Sequence, residues 1–365
     1  MKAGIVGLPN VGKSTLFNAL TLNEAEACNY AFTTIEPNMA IVKLNDPRLE
    51  VLSKLANTQK IVPATFTFVD IAGLVRGASK GEGLGNKFLA NIREVDAIVH
   101  VVRCFEDNNI VHVHNKIDPI SDLQTINLEL ILADLQTVDN VINRIGKRAK
   151  NSGDKDLIKE FEIAQRVKQF LEEEKSAREV ELTDDEKVMI KSWQLLSAKP
   201  IIYVANLKQS DLENIEKNQH YKTLKEFLDK TNDILIPICV SLEYELSKFE
   251  DYEKKEFLAE YNLTQSGLDN LIQKSFYLLD QSTYFTAGVI EVRAWVFKNG
   301  MNAAECAGII HTDFEKKFVK AEVISYEDYV DCGGEKQAHE SGKMHLEGKN
   351  YIMKDGDVCY FKVAK

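Results

Sequence analysis

Residues 7–15 form a glycine-rich segment that ends in a lysine, a serine and a threonine. Their sequence, Gly-Leu-Pro-Asn-Val-Gly-Lys-Ser-Thr, contains the phosphate-loop pattern G-x-x-x-x-G-K-[ST]. The apolar run 3–6 predicts a strand before it, and residues 16–20 predict the first turns of a helix after it. Backbone N–H groups of such a loop point at phosphate oxygens, at the positive end of the helix. We therefore predict a nucleoside triphosphate site contacted by Asn10, Val11, Gly12, Lys13, Ser14 and Thr15.

Two of these side chains have distinct chemistry. Lys13 is expected to reach the β and γ phosphates, and the Ser14 hydroxyl is expected to bind Mg²⁺. Catalysis would then rest on positioning of the phosphates and on neutralisation of their charge by Lys13, Mg²⁺ and the loop N–H groups.

A second segment, Asp-Ile-Ala-Gly, follows the apolar run 65–69 and spans Asp70 to Gly73. In GTPase-type domains such a D-x-x-G segment lies below the γ phosphate. Its Asp holds Mg²⁺ through water, and its Gly N–H contacts the phosphate. A threonine from the segment between the two motifs would be the second protein ligand of Mg²⁺. On chemistry alone, Thr33 and Thr34 are equally suitable.

The residue after Gly73 bears on hydrolysis. Ras-type enzymes place a glutamine there to orient the attacking water, whereas this chain has Leu74, which carries no polar group. Two histidines, His112 and His114, follow the predicted strand 97–102, and exposed loop histidines are ordinarily plain polar surface. We expect either slow hydrolysis or a water-positioning group from elsewhere in the chain.

Two pairs of segments compete as readers of the base. Residues 115–118 match N-K-x-D and residues 197–199 match its usual companion S-A-K, which taken literally indicate GTP. Only about a dozen residues separate the first match from the strand that ends near Arg103, too few for a parallel crossover. Residues 188–196, before the second match, predict a helix. We expect both matches to be fortuitous, and a guanine-reading GTPase stays the first alternative.

The second pair has the required order of strand, motif, helix, strand and motif. The apolar run 200–205 ends at Asn-Leu-Lys-Gln, and the apolar run 234–240 ends at Ser-Leu-Glu. The first motif has no Asp to pair with N1 and N2 of guanine, the contact by which such proteins demand that base. We therefore predict ATP preferred over GTP, with the base bound by Asn206, Leu207, Gln209, Ser241, Leu242 and Glu243.

Composition is that of a globular protein. The 365 residues suit two or three domains, and no run approaches the roughly 20 apolar residues that span a bilayer. Met1 leads directly into the first predicted strand, and the six cysteines are scattered without a Cys-x-x-Cys pair. We expect a cytoplasmic protein with reduced thiols, no membrane contact and no zinc site. Because the net charge is −11, any contact with nucleic acid requires a local basic patch.

Several segments together resemble the YchF family, also called the Obg-like ATPases. They are residues 7–15, Phe-Thr-Thr-Ile-Glu-Pro-Asn (32–38), Asp-Ile-Ala-Gly-Leu-Val (70–75), Gly-Glu-Gly-Leu-Gly-Asn-Lys-Phe-Leu (81–89) and Thr-Tyr-Phe-Thr-Ala-Gly (283–288). The resemblance covers essentially the whole chain. It implies an α/β P-loop G domain of the translation-factor class, an inserted helical coiled-coil arm and a C-terminal α+β TGS domain with a β-grasp fold. It also implies a preference for ATP and association with ribosomes.

The resemblance assigns roles around the phosphates. It implies that Thr34 is the Mg²⁺ threonine, which makes Ser14, Thr34 and Asp70 the expected metal set. His112 matches a family histidine implicated in hydrolysis, so His112 and Lys13 are the expected catalytic residues. Asn10 resembles the asparagine that binds a monovalent cation in related GTPases, so K⁺ is the second candidate cofactor.

In the base motif the resemblance is incomplete. It implies that Asn206 and Leu207 contact adenine, but the family's N-x-x-E has Gln209 as its last residue here. A glutamine keeps hydrogen-bonding capacity and loses the charge. We therefore expect weaker base selectivity than in the family.

Apolar residues spaced alternately three and four apart predict a heptad seam at Leu128, Ile131, Leu135, Val138, Ile142 and Ile145. The facing helix would use Leu157, Phe161, Ala164, Val167 and Leu171, after a turn at residues 151–154. The pair either packs on the G domain or forms a projecting arm. Near the turn, five basic residues outnumber two acidic ones for a net +3: Arg144, Lys147, Arg148, Lys150 and Lys155 against Asp154 and Asp156. This is the best local candidate for contact with ribosomal RNA.

The predicted organisation has three parts: a G domain over 1–121 and 199–280, a helical coiled-coil insertion over 122–198, and a TGS domain over 281–365. In the last part, strands are predicted at 288–297, 320–324 and 356–363, with a helix at 303–311. That domain shows no catalytic constellation, so we predict a binding module.

The function predicted from sequence is a Mg²⁺-dependent ATP hydrolase with weaker GTP activity. It would act as a monomeric, ribosome-associated nucleotide switch that contacts ribosomal RNA through the arm or the TGS domain. A second alternative belongs to another class, a nucleotide-gated scaffold whose hydrolysis is incidental.

Overall fold

The structure, a computed structural model, describes residues 1–23, 38–71, 84–107, 109–112, 116–151, 153–261, 263 and 265–364. Backbone contacts divide the chain into two units, residues 1–41 with 67–271 and residues 42–66 with 272–365. The domain boundaries expected from sequence are a different partition, and they stay a prediction. In the part of the chain described, no helix is long and apolar enough to cross a membrane.

The strands of the described residues are, in chain order, β1 (Lys2–Val6), β2 (Met39–Lys43), β3 (Ile61–Val62), β4 (Thr65–Asp70), β5 (Ala97–Arg103), β6 (Ile201–Asn206), β7 (Ile234–Ile238), β8 (Gln281–Ala287), β9 (Val292–Lys298), β10 (Phe318–Ile324), β11 (His345–Glu347) and β12 (Val358–Val363).

The α-helices are α1 (Lys13–Leu22), α2 (Arg48–Leu55), α3 (Leu84–Arg93), α4 (Pro119–Asn151), α5 (Lys155–Glu172), α6 (Asp184–Ile190), α7 (Gln219–Leu228), α8 (Val240–Leu246), α9 (Asp251–Glu260), α10 (Gly267–Leu278), α11 (Ala303–Ile310), α12 (Thr312–Lys316), α13 (Tyr326–Cys332) and α14 (Glu335–Glu340). Short 3₁₀ helices span Ala177–Glu179, Lys191–Trp193 and Gln209–Lys217.

The first sheet has the strand order β2-β4-β1-β5-β6-β7 and is mostly parallel, as predicted. Every residue of β5 and β6 is buried, which explains their continuous apolar sequences, because a parallel sheet is covered on both faces. Parallel strands end at the same edge. The last residues of five strands therefore meet there: Val6, Asp70, Arg103, Asn206 and Ile238.

Helices α4 and α5 pack against each other across a short turn at the predicted position. Asp154 begins α5 by accepting hydrogen bonds from the N–H groups of Asp156 and Leu157. The predicted seam is buried or partly buried from Ile131 to Ile145, but Leu128 is exposed. The core also includes residues that are not among the predicted contacts of the two helices: Val141, Ile163, Ala177, Val180, Ile190, Trp193 and Leu195.

The second unit contains a sheet with the order β11-β10-β12-β8-β9-β3. Strands β8 and β9 form an antiparallel pair, and β12 lies parallel to β8. Helix α11 covers a core that includes Tyr284, whose hydroxyl donates to the Cys306 carbonyl at 2.9 Å. The sequence prediction missed β8 and began the next strand at residue 288, because it treated the turn after Ala287 as strand. The predicted helix 303–311 agrees with α11 to within one residue.

Candidate functional site

The phosphate loop joins β1 to α1 at the sheet edge where the strands end. Its backbone has positive φ at Gly7 (154°), Asn10 (61°) and Gly12 (106°). A Cβ at Gly7 would lie 2.5 Å from the Val101 carbonyl oxygen, and a Cβ at Gly12 would overlap Asn206 Nδ2. Glycine is therefore required at both positions, by backbone conformation and by the close approach of neighbouring strands.

Lys13 is the buried cation of the loop. It is 8% exposed, and its Nζ donates to the Leu8 carbonyl at 2.7 Å. Burial lowers the pKa of Lys13 to about 8, and the nearby Asp70 carboxylate opposes that shift. Burial also raises the pKa of Asp70, while Lys13 opposes that rise. The two predicted phosphate-site charges thus interact, although one begins α1 and the other ends β4, more than fifty residues later in the chain.

The described residues suit a magnesium ion. Ser14 is exposed in the first turn of α1, and Asp70 is half-buried at the end of β4. A hydroxyl and a carboxylate are oxygen ligands, which Mg²⁺ prefers. Thr34, Gly73 and Leu74 lie outside the described residues.

The side chain of Asn206 joins three parts of the site. Its Nδ2 donates to the Val11 carbonyl at 2.8 Å, and its Oδ1 accepts from the Val240 N–H at 3.2 Å. It therefore connects the phosphate loop, the end of β6 and the first residue of α8. Asn206 is 5% exposed, so these bonds are made away from solvent.

A cavity of about 480 Å³ opens beside this amide. Its lining consists of residues from the phosphate loop and from the ends of β5, β6 and β7: Asn10, Gly12, Thr15, Phe105, Asp107, Ile110, Asn206, Leu207, Lys208, Gln209, Val240 and Ser241. Gln209 Nε2 donates to the Tyr261 hydroxyl at 2.9 Å. Predicted phosphate and base residues thus surround one space.

Two predicted base-site residues do not line that cavity. Leu242 packs with Cys239, Leu246 and Leu258 in a separate apolar cluster. Glu243 is buried, and its carboxylate accepts from the Gly267 N–H at 2.7 Å at the start of α10. Burial raises the pKa of Glu243. Both residues lie on α8, whose helical turn directs them into the protein. The sequence prediction placed them in a base-contacting motif after a strand, and the helix is the reason that they do not line the cavity.

The N-K-x-D and S-A-K matches have other contacts. Asp118 Oδ1 accepts from the Ser121 N–H at 3.2 Å in the first turn of α4, and Asn115 lies outside the described residues. Ser197 donates from both its N–H and its hydroxyl to buried Asp134, each at 2.7 Å. Lys199 Nζ donates to the carbonyls of residues 93 and 95. In the described parts of residues 104–118 the structure contains no strand.

His112 is not on the surface. The expectation of an exposed loop histidine is wrong here, because His112 is 6% exposed and its Nε2 lies 2.8 Å from Asp122 Oδ2 in α4. The neighbouring Val111 carbonyl accepts from Asn10 Nδ2 at 3.2 Å, so this segment adjoins the phosphate loop. His114 lies outside the described residues.

The segment after β5 also belongs to the site, and no sequence motif predicted it. Phe105, Asp107 and Ile110 line the cavity, and Arg103 holds their backbone carbonyls. The available signal was their position, immediately after a buried strand that ends at the same sheet edge as the phosphate loop.

Comparisons with known proteins find similar sequences over nearly the full length of the chain. A family model described as "50S ribosome-binding GTPase" matches residues 2–144, and the C-terminal YchF GTPase model, described as a protein of unknown function, matches residues 281–364. The "Ribosome-binding ATPase YchF" of Bacillus subtilis (strain 168) is 53% identical over 362 residues, 99% of each chain. The protein of that name from Escherichia coli O157:H7 is 49% identical over 360 residues, 99% of this chain and 98% of its own.

The solved structure of the Schizosaccharomyces pombe YchF GTPase matches this chain with a TM-score of 0.90 at 38% identity. The match covers 99% of this chain and 97% of that one. Together with the two sheets and the packed helix pair, it confirms the expected fold: a P-loop G domain, an inserted helical pair and a C-terminal α+β domain.

Proposed function

The chain belongs to the YchF family, and we propose that it is a Mg²⁺-dependent nucleoside triphosphatase that prefers ATP to GTP and works as a ribosome-associated switch. The observation that carries the proposal is the Asn206 side chain, which bonds to the phosphate loop at Val11 and to α8 at Val240. Because this side chain bonds to both segments, the proposed phosphate-binding and base-binding residues lie next to each other.

Lys13 is the proposed phosphate ligand. Its Nζ bonds to the Leu8 carbonyl, and a triphosphate offers a charged acceptor in place of that neutral one. The N–H groups at the start of α1 and the helix dipole add to the attraction. Bound Mg²⁺, held by Ser14, Asp70 and the predicted Thr34, would neutralise charge on the phosphates. K⁺ at Asn10 stays a prediction.

Asn206 and Gln209 are the proposed base contacts. The Asn206 amide has a second proton beyond the one donated to Val11, and it can be donated to a ring nitrogen of the base. Gln209 has an amide where guanine-specific proteins have the carboxylate that accepts from N1 and N2 of guanine. Among the cavity-lining residues described, Asp107 is the acidic one, and its Oδ1 accepts from the Asn109 N–H at 2.8 Å. These contacts favour adenine.

His112 is the proposed hydrolytic residue. The family resemblance suggests this role, and the Asn10–Val111 bond supports it because it holds the histidine's segment against the phosphate loop. Asp122 fixes the ring of His112 by pairing with Nε2. To act on the γ phosphate, His112 would have to leave that pair through a movement of its loop.

The proposed ribosome contact is the basic end of the helix pair. Lys147, Arg148 and Lys155 are exposed. Arg144 is exposed too, and its Nη2 lies 3.8 Å from Glu160 Oε1. An acidic chain needs such a local patch to approach RNA phosphates.

The test is a comparison of ATP and GTP binding in the wild type, in Lys13→Ala and in a control, Lys222→Ala, whose side chain is exposed on α7. We expect ATP to bind more tightly than GTP. Lys13→Ala should lose at least about 2 kcal/mol of ATP affinity, the range for a buried charge-assisted contact. Lys222→Ala should bind like the wild type.

Three outcomes would contradict the proposal. Unchanged ATP affinity in a folded Lys13→Ala variant would rule out the phosphate-loop assignment. A strong preference of the wild type for GTP would favour the guanine-reading alternative. Tight binding with negligible turnover, and ribosome binding that is unaffected when hydrolysis is blocked, would favour the nucleotide-gated scaffold.

A further inference from the structure

Arg103 is the last residue of β5, and it is a buried cation that the phosphate chemistry does not use. The residue is 1% exposed. Among the described residues, no carboxylate forms an ion pair with it. A buried charge is costly unless hydrogen bonds compensate it, so its surroundings must supply them.

Three backbone carbonyls of the following loop supply them. Nε donates to Phe105 O at 3.0 Å, Nη1 to Ile110 O at 3.1 Å and Nη2 to Asp107 O at 3.1 Å. The guanidinium also lies 4.6 Å from the centre of the Phe105 ring. The described part of this loop, residues 104–107 and 109–112, contains no helix or strand. The arginine therefore replaces the hydrogen bonds that regular structure would otherwise supply.

The same loop forms one wall of the nucleotide cavity. The loop residues that line the cavity are the same three whose carbonyls accept from the guanidinium: Phe105, Asp107 and Ile110. Further along, the Val111 carbonyl accepts from Asn10, and His112 pairs with Asp122. Displacement of the loop would move the cavity wall, the contact with the phosphate loop and the histidine together.

We propose that Arg103 is the positioning residue of this wall: its guanidinium sets the course of residues 104–107 and 109–112 and thereby the shape of the nucleotide site. The role rests on the proposed function, because it presumes that the cavity holds a nucleotide. It requires the planar, five-donor guanidinium. A lysine keeps the charge, but its single ammonium cannot direct donors to three carbonyls around a planar fork.

The first test compares Arg103→Lys with a matched control, Arg178→Lys. Arg178 is partly buried and donates to the Tyr203 hydroxyl at 3.3 Å, but it does not line the nucleotide cavity. For Arg103→Lys we expect kcat/KM for ATP to fall about tenfold or more, since small misplacements in a site have effects of that size. We expect amide hydrogen exchange to rise within residues 104–112. Arg178→Lys should change neither quantity.

The second test is chemical rescue of Arg103→Ala. Arg103 itself borders a separate cleft with Lys116 and His220, through which a small cation can enter once the side chain is truncated. Millimolar methylguanidinium should restore part of the kcat/KM for ATP that Arg103→Ala loses, whereas methylammonium at the same concentration and ionic strength should not. If Arg103→Ala does not fold, Arg103→Lys with hydrogen exchange decides the question.

Arg103→Lys with wild-type kcat/KM, or with unchanged exchange in residues 104–112, would overturn the proposed role. The failure of the proposed function would look different. In that case the wild type itself would bind neither ATP nor GTP in the same assay, and no variant at position 103 would be informative about the wall.

Discussion

The buried state of Lys13 predicts that ATP affinity depends on pH in a range where few side chains titrate. Its pKa is lowered to about 8, mainly by burial. A bound triphosphate favours the charged lysine, so binding should take up a proton wherever the free protein has lost it. At pH 7 Lys13 is charged in roughly ten of every eleven protein molecules, and at pH 9 in roughly one of every eleven. ATP affinity should therefore fall about tenfold between these values.

The measurement is a calorimetric titration of ATP at pH 7, 8 and 9 at constant Mg²⁺ and ionic strength, repeated in buffers of different ionisation enthalpy. The buffer dependence reports proton uptake directly, which should approach one proton per ATP at pH 9. Lys13→Ala is the matched control, and its weaker affinity should not vary with pH. A wild-type affinity that changes less than about twofold, or a proton released on binding, would refute the assignment of Lys13 as the buried phosphate cation.

Three further predictions concern the base, hydrolysis and the ribosome. Asn206→Ala should weaken ATP binding, whereas a double Asn115→Ala, Asp118→Ala variant should bind nearly as the wild type, because Asp118 Oδ1 is engaged in the first turn of α4. His112→Ala should lower turnover on the order of 10²-fold and leave ATP affinity intact. A triple variant in which Arg144, Lys147 and Arg148 are each replaced by Glu should bind ribosomes more weakly in co-sedimentation, and this binding should depend less on salt. ATP turnover of the isolated protein should be unchanged.

A specific outcome would contradict each of these three predictions. Loss of binding in the double variant, with GTP preferred by the wild type, would make N-K-x-D the base reader. Wild-type turnover in His112→Ala would leave that residue as the structural partner of Asp122. If the triple Glu variant co-sediments with ribosomes as the wild type does at every salt concentration, the ribosome contact lies elsewhere in the chain. The region from residue 281 onward is then the next to test.

Local sequence was sufficient to predict the features that depend on residues adjacent in the chain. The phosphate loop needs a strand, a glycine-rich turn and a helix in sequence, and β1 and α1 lie where those patterns placed them. The apolar runs predicted β5, β6 and β7 to within about two residues, because a fully buried parallel strand has no polar side to interrupt it. The choice of residues 206–209 over 115–118 as the base site rests on the spacing of elements, and it stays a prediction.

Side-chain direction did not follow from local sequence. Leu242 and Glu243 directly follow a predicted base-site serine, yet α8 begins at Val240 and directs them into the protein. Leu128 fits the heptad spacing but is exposed, while Val141 lies outside the predicted seam and is buried. In each case the deciding factor is which distant segment packs against the helix, and periodicity carries no information about that.

The sequence alone determined the chemistry available: a phosphate loop, an acidic D-x-x-G segment and an Asn-x-x-Gln motif, each at the end of a predicted strand. Only the tertiary structure decided how these groups meet. It bonds Asn206 to Val11 and Val240, and it buries His112 against Asp122. It also folds the loop after β5 around Arg103. The physical reason is that buried polar groups must be hydrogen-bonded, and their partners here are far apart in the chain or lie in a loop without regular structure, where no sequence pattern specifies them.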